Sequence, residues 1–154
     1  MRKGTGEYAM NKMDVAIRIQ TTIRDGKQRE RHTMDCEGEL MWRGSLLVLR
    51  FQEPHEEETD RTHQTMQLRD GRLSVQRKGA VEMNQRFVEG VKTEGTFTSA
   101  AGPMLMETDT ETVDYTWNEA EQQGRINLVY VLRLAGQQTG TYSMVVTFEE
   151  GRQG

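Results

Sequence analysis

Residues 79 to 90 read GAVEMNQRFVEG, a segment with a glycine at each end and three consecutive polar side chains before a phenylalanine. In an extended strand, successive side chains point to opposite faces of the sheet. One face of this segment is then formed by Val81, Met83, Gln85 and Phe87. The other face is mostly polar. The segment is therefore predicted to be a strand with one face toward a core and the other toward water.

The same alternation recurs along the rest of the chain. From Val15 to Ile23, apolar or β-branched residues occupy every second position, and Asp25-Gly26 then supplies a hairpin turn. Further alternating segments are predicted at residues 32–42, 45–52, 62–69, 72–78, 104–117 and 124–134. No segment has a convincing helical period, and residues 118–123 form either one helical turn at most or a plain loop. About ten strands are expected.

The length and order of these segments favour a closed barrel. A meander of antiparallel strands leaves two exposed edges unless its first and last strands pair. Segments such as 104–117 are longer than the usual ~5–6 residues, as suits the tilted strands of a barrel. We predict an all-β chain, in which residues 13–150 form a single antiparallel meander β-barrel of about 8–10 strands. Residues 1–12 are predicted to be a flexible leader, and Pro54 and Pro103 are predicted to lie in loops.

Composition excludes several classes of function. A chain of 154 residues has room for one domain, and its net charge of −4 comes without a cluster of Lys or Arg, so neither a nucleic acid nor an anionic membrane is an expected partner. Cys36 is the single cysteine, which excludes an internal disulfide and fits a reducing compartment. No apolar run follows the basic start of the chain. A cytoplasmic location is predicted.

The segment quoted above also resembles the corresponding strand of the YwiB-like proteins, a bacterial family with a calycin-like, lipocalin-related β-barrel. The late segment GRINLVYVLRL, residues 124–134, is similar to the glycine-arginine-isoleucine start of a strand in that family. Elsewhere along the chain, the resemblance is limited to the pattern of strands and turns. The resemblance implies a calycin-like barrel. Because the family has no established activity, the resemblance implies no reaction and no cofactor.

Several side chains on the faces predicted to point inward are candidates for binding a ligand. A barrel of this size has room for its own side chains and one small molecule, and methionine adapts to irregular apolar shapes. The candidate lumen residues are Met34, Cys36, Trp42, Met66, Val81, Met83, Gln85, Phe87 and Tyr130. The alternative is that these side chains only fill the core, which is their commoner role.

Gln85 and Arg86 are the candidate polar anchors for such a ligand. A buried amide without a partner costs about 1–3 kcal/mol, so Gln85 needs a ligand, a water or a protein group to bond to. If the segment faced the other way, Arg86 would point into the barrel and could hold a carboxylate. That orientation would leave Met83 and Phe87 outside the core.

The sequence offers little for catalysis or metal binding. His55, Glu56 to Glu58, Asp60 and His63 lie in one acidic segment, which is predicted to be a solvated charge run because nothing in the spacing makes the ligands converge. The three carboxylates Asp109, Glu111 and Asp114 form no evident acid and base pair. No nucleophile or phosphate-loop motif is present. No metal and no cofactor are predicted, and a non-enzymatic role is favoured.

Two segments are apolar on both faces, namely residues 46–49 and 128–132. An outer face of this kind needs cover, from the N-terminal arm, a loop or a second subunit, and the last would make a homodimer. Two functional hypotheses follow. The chain is either a barrel that binds a small, largely apolar molecule, or a filled barrel that acts through contact with itself or another protein.

Overall fold

The alternating segments form a ten-stranded antiparallel barrel in the computed structural model, which describes residues 10–54 and 61–151. The strands are β1 (Asn11–Asp25), β2 (Gln28–Arg43), β3 (Leu46–Gln52), β4 (Thr62–Arg69), β5 (Arg72–Gly79), β6 (Glu82–Phe87), β7 (Lys92–Ser99), β8 (Gly102–Asn118), β9 (Gln123–Leu134) and β10 (Gln137–Glu150). Residues 1–9, which make up most of the predicted leader, lie outside the described residues.

Closure of the sheet comes from the pairing of its first and last strands. Each strand pairs with the next one along the chain, and β1 pairs with β10 from Val15↔Glu150 to Arg24↔Thr141. Within the described residues, each of the ten strands therefore pairs with a neighbour on both sides, over at least part of its length. The predicted all-β fold, the meander and the closure are confirmed.

Tight turns join most neighbouring strands. At Asp70 and Gly71, between β4 and β5, both residues have positive φ angles of 50° and 75°. Two successive positive φ angles characterise the turn whose twist matches that of antiparallel strands, and Asp-Gly is a favoured pair for it. The turn residues visible in the sequence therefore separate the strands as expected.

The inward faces of the strands form the core. Leu49, Ile126 and Val146 are fully buried, and the inward residues of the other strands surround them. Strand β8 contains a bulge at Glu111, because Thr110 pairs with Tyr130 and Thr112 pairs with the adjacent Val129. A bulge inserts one extra residue on one side of a pair. Inward positions are therefore even-numbered before Glu111 and odd-numbered after it.

Two details of the sequence prediction are wrong. Residues 79–90 do not form one strand, since Gly79 ends β5, residues 80–81 form a bend and β6 covers only Glu82–Phe87. Pro103 lies within β8 rather than in a loop. Residues 119–122 form a turn without a helix. The alternation within β6 is as predicted, with Met83, Gln85 and Phe87 buried.

Candidate functional site

One end of the barrel contains a partly open cavity of about 740 Å³. This open end carries the connections between β2 and β3, between β4 and β5, and between β8 and β9. The cavity is lined by Met13, Leu40, Trp42, Gly44, Ser45, Leu46, Leu47, Leu68, Asp70, Gly71, Val113, Asp114, Tyr115, Trp117, Glu119 and Gln122. Its described lining contains no histidine, cysteine, lysine or arginine, so the wall offers apolar contact but no paired nucleophile and base.

The bulge in β8 brings two aromatic side chains into the cavity wall. After Glu111, the residues that alternate inward are Val113, Tyr115 and Trp117. The ring of Tyr115 stacks on Phe148 at a centroid distance of 6.4 Å, and the ring of Trp117 lies 6.4 Å from the same phenylalanine. Phe148 is buried beneath them. Partial burial raises the pKa of the Tyr115 hydroxyl above its ordinary value.

Polar groups lie at the rim of the cavity. The indole nitrogen of Trp117 donates a hydrogen bond of 2.8 Å to the carboxylate of Glu119. The turn that holds Glu119 is fixed by Asn118, whose side-chain oxygen accepts a hydrogen bond of 3.0 Å from the backbone nitrogen of Glu121. Asp70 and Gln122 complete the polar rim from the β4–β5 and β8–β9 connections. The cavity thus has an aromatic wall and a polar, acidic rim.

The middle of the lumen is packed with side chains. Gln85, which is 5% exposed, donates a hydrogen bond of 2.9 Å to the hydroxyl of Thr108. Phe87 meets Tyr130 edge to face at 4.8 Å, and Tyr130 stacks on Tyr142 at 5.0 Å. Burial raises the pKa of the Tyr130 hydroxyl, and Tyr142 adds to the shift. The amide of Gln85 therefore has a protein partner, and the aromatic rings beside it pack against one another.

The opposite end of the lumen, which we call the plugged end, carries an inward-facing ion pair. The guanidinium of Arg77 donates hydrogen bonds of 2.7 and 2.8 Å to the two carboxylate oxygens of Glu53. The amide of Gln64 donates a third, of 2.7 Å, to the same carboxylate. All three side chains continue the inward faces of their segments. Because β3, β4 and β5 are neighbours in the sheet, this bidentate pairing fixes both side chains along one wall of the lumen.

Cys36 lies near this plugged end on the inward face of β2. Burial raises the pKa of its thiol to about 11, and the carboxylates of Asp35 and Glu53 contribute to the increase. A thiol with a raised pKa is mostly protonated at neutral pH and is a poor nucleophile. The environment of Cys36 therefore provides nothing that would activate it.

The structure separates the candidate lumen residues. Met66, Met83, Gln85, Phe87 and Tyr130 are buried within the core. Met34, Cys36 and Val81 are half-buried. Of the whole candidate set, Trp42 is the residue that lines the cavity. Arg86 is exposed on the outer face of β6, so the orientation that would point it into the barrel is wrong.

Sequence reasoning missed Trp117, Tyr115 and the Glu53–Arg77 pair. Strict alternation through β8 does not reveal the bulge at Glu111, after which odd-numbered instead of even-numbered residues point inward. For this reason the inward position of Tyr115 and Trp117 was not predicted. The inward position of both members of the ion pair could have been predicted from the sequence. Extending the alternation of Leu73 and Val75 by one step reaches Arg77, just as extending that of β3 reaches Glu53.

The acidic segment between β3 and β4 falls mostly outside the described residues. His55, Glu56 to Glu58 and Asp60 are not covered, and His63 is exposed on β4. In the ranges that the structure covers, no group of three or more His, Cys, Asp or Glu side chains is arranged to hold a metal ion. No helix in those ranges is long and apolar enough to cross a membrane.

Comparisons with known proteins agree with this architecture. The family model described as "Domain of unknown function (DUF1934)" matches residues 17–146. Over 137 residues the chain is 26% identical to the "Uncharacterized beta-barrel protein YwiB" of Bacillus subtilis (strain 168), an alignment that covers 89% of this chain and 94% of that protein. The crystal structure of the ywiB protein from Bacillus subtilis has a TM-score of 0.81 to this fold at 23% identity, covering 97% of this chain and 99% of that one.

Proposed function

The chain belongs to the DUF1934 family of YwiB-like β-barrels, and within that fold we propose that it binds a small, largely apolar molecule in the cavity at the open end. The observation that carries this proposal is the cavity of about 740 Å³. Pockets that hold small ligands have volumes of roughly 300–1,000 Å³ and mostly apolar walls with a few polar groups. The open end has both properties.

The site proposed now differs from the one expected from the inward faces alone. Gln85 bonds to Thr108 and Arg86 faces water, so neither is placed to anchor a ligand in the cavity. Trp42 and Trp117 provide the flat apolar contacts instead. A bound molecule would insert its apolar part between the aromatic side chains and leave its polar end at the rim.

The rim favours one class of polar end over another. Its carboxylate-bearing residues Asp70 and Glu119 repel an anionic group, whereas the side chain of Gln122 can bond to a neutral hydroxyl or amide. A cationic group would also be attracted by the carboxylates and by the faces of the tryptophan rings. We therefore expect a ligand with a neutral or cationic end, not a fatty-acid carboxylate.

This role needs no reaction. The part of the cavity lining that the structure describes holds no paired nucleophile and base, and Cys36 is not among its residues. The single cysteine and the sequence pattern favour action in the cytoplasm, where an apolar metabolite with low solubility would need a carrier or a sensor.

The tryptophans give a direct test. The chain has two, Trp42 and Trp117, and both line the cavity, so their fluorescence reports on its occupancy. The purified chain would be titrated with decyltrimethylammonium, decyl maltoside and decanoate, each below its micellar concentration. Saturable changes in emission are expected for the first two probes and weaker ones for decanoate. The absence of a saturable change with all three probes would overturn the proposal.

Two variants localise the signal. Val113→Phe fills part of the cavity and is expected to weaken binding of decyl maltoside by about tenfold, since it removes space that the alkyl chain needs. Val91→Phe makes the same change at an exposed position outside the cavity and should bind as the original chain does. Equal affinity in both variants would place the probe elsewhere. Native mass spectrometry of freshly purified protein would show whether a molecule co-purifies.

A further inference from the structure

The outer surface of β9 and β10 is an uncharged patch in a highly charged protein. We call it the outer β9–β10 face, formed by Asn127, Val129, Val131, Thr141, Ser143 and Val145. All six side chains alternate away from the lumen and are only half-buried. Uncharged, partly apolar sheet faces of this kind are typical of protein contacts.

The other segment that is apolar on both faces behaves differently. Val48 points outward from β3, yet it is 7% exposed within the described chain. Val129 and Val131 keep more of their surface accessible. Cover for the outer face is therefore needed on β9 and β10 and not on β3.

The two sides of the outer β9–β10 face carry opposite charges. In one row of the sheet, Asp109 of β8 pairs in register with Val131, Val131 with Thr141, and Thr141 with Arg24 of β1. Both charged side chains are exposed at either end of this row. Neither has an ion-pair partner among the described residues of its own chain.

The next two rows have neutral side chains in the centre. One row runs from Thr112 through Val129 and Ser143 to Thr22. The following row runs from Asp114 through Asn127 and Val145 to Gln20. Carboxylates thus lie on the β8 side, neutral side chains lie in the middle, and the row nearest the β1–β2 hairpin ends on an arginine.

From this pattern we propose that two copies of the chain form a homodimer through the outer β9–β10 face. A two-fold axis parallel to the strands, between β9 and β10, places β9 over the partner's β10 and β8 over the partner's β1. Asp109 then lies near the partner's Arg24, and the partner's Asp109 lies near Arg24. Val129 and Val131 are covered by the partner's hydroxyl-bearing strand, so the face is complementary to itself.

A charge-swap series tests the proposal. The mass of the full-length chain in solution would be measured by sedimentation equilibrium over a range of concentrations. Asp109→Arg and Arg24→Asp each place like charges together and should weaken the dimer by roughly tenfold or more. The double variant restores opposite charges with their positions exchanged and should recover most of the affinity.

The controls separate this surface from any other. Val129→Lys puts a charge at the centre of the face and should give a monomer, whereas Arg86→Glu reverses an exposed charge on the wall formed by β6 and should leave the dimer intact. Thermal denaturation of each variant confirms folding. A monomer at every concentration up to about 1 mM overturns the proposal. So does a dimer that survives Val129→Lys, or a charge swap that fails to rescue.

Discussion

The two ends of the barrel lumen differ in the chemistry of their inward-facing side chains. At the plugged end, Glu53 and Arg77 form a bidentate ion pair along the wall made by β3, β4 and β5, with Gln64 bonded to it. At the open end, the aromatic rings of Tyr115 and Trp117 pack against Phe148 and line a cavity of about 740 Å³. At both ends, the inward-facing side chains lie between the apolar core and the mouth of the lumen. Polar side chains at one end bond to one another, while aromatic side chains at the other end pack against one wall and leave a cavity.

The largest expected effect is at the plugged end. Glu53→Gln removes the partner charge of Arg77, whose side chain is 26% exposed, and leaves the guanidinium without compensation. We expect a loss of about 2–4 kcal/mol in the free energy of unfolding, measured by urea denaturation. A negligible loss would show that the ion pair does not stabilise the fold.

The protein supplies a matched control for this variant. Arg18 and Asp35 form a pair with the same 2.7 Å distance between Nε and the carboxylate, but both side chains are more than half exposed. Their hydrogen bond lowers the pKa of the Asp35 carboxyl, yet water screens the pair. Asp35→Asn is therefore expected to change the urea midpoint little. Comparable losses in Asp35→Asn and Glu53→Gln would contradict the contrast between them.

At the open end, the next largest effect is expected from Gly124→Ala. A Cβ atom at this position would clash with the ring of Phe148, which is buried and supports Tyr115 and Trp117. Overpacking of this kind costs about 1–3 kcal/mol, and the displaced ring should also alter tryptophan emission. Differential scanning calorimetry measures the first effect and fluorescence the second. Combining Phe148→Leu with Gly124→Ala should relieve part of the clash, so the double variant should lose less stability than the two single variants together. Additive losses would argue against the clash.

In the packed middle of the lumen, substitutions at two similar threonines should change the free energy of unfolding by a smaller amount and in opposite directions. Thr110 and Thr108 are both 1% exposed, but the Thr110 hydroxyl has no hydrogen-bond partner among the described residues, while that of Thr108 accepts from Gln85. Thr110→Val should stabilise the fold by about 1 kcal/mol, and Thr108→Val should destabilise it by a similar amount. Urea denaturation checks both. Stabilisation by Thr108→Val would show that the Gln85 bond does not matter, and destabilisation by Thr110→Val would show that its hydroxyl is bonded.

The smallest effect concerns the reactivity of Cys36. Its pKa of about 11, against an ordinary 9.0, means that the folded chain holds the thiol proton more tightly than the unfolded chain. Labelling by 5,5′-dithiobis(2-nitrobenzoate) at about pH 8 should be roughly 10- to 100-fold slower in the folded chain than in urea. The stability that comes from this group is present below the ordinary thiol pKa and is lost as the pH rises toward 11. Equal labelling rates would contradict the shift.

The fold could be predicted from the sequence because the barrel follows from local patterns. Alternation between inward and outward residues depends only on the pleat of the strand, and it placed Met83, Gln85 and Phe87 inside correctly. Turn residues such as Asp70 and Gly71 separated the strands. Those signals are present in each short segment and need no knowledge of the rest of the chain.

The candidate site could not be predicted in the same way, because it depends on contacts between distant strands. The partner of Gln85 is Thr108, two strands away, and alternation cannot name it. The bulge at Glu111 shifts the inward set by one residue, which makes Trp117 a wall of the cavity. Of the residues expected to contact a ligand, Trp42 is the one that lines this cavity, because the others lie deeper in the lumen or near its plugged end.

The pairing of β1 with β10 has a consequence for how the molecule is made. The chain must be synthesised almost to Glu150 before β1 can gain its second partner, so closure of the barrel is a late step. Until then, β1 pairs with β2 alone and exposes one edge carrying Val15, Ile17 and Ile19. The growing chain is therefore most prone to aggregation in the interval before β10 emerges, and slower synthesis would prolong that interval.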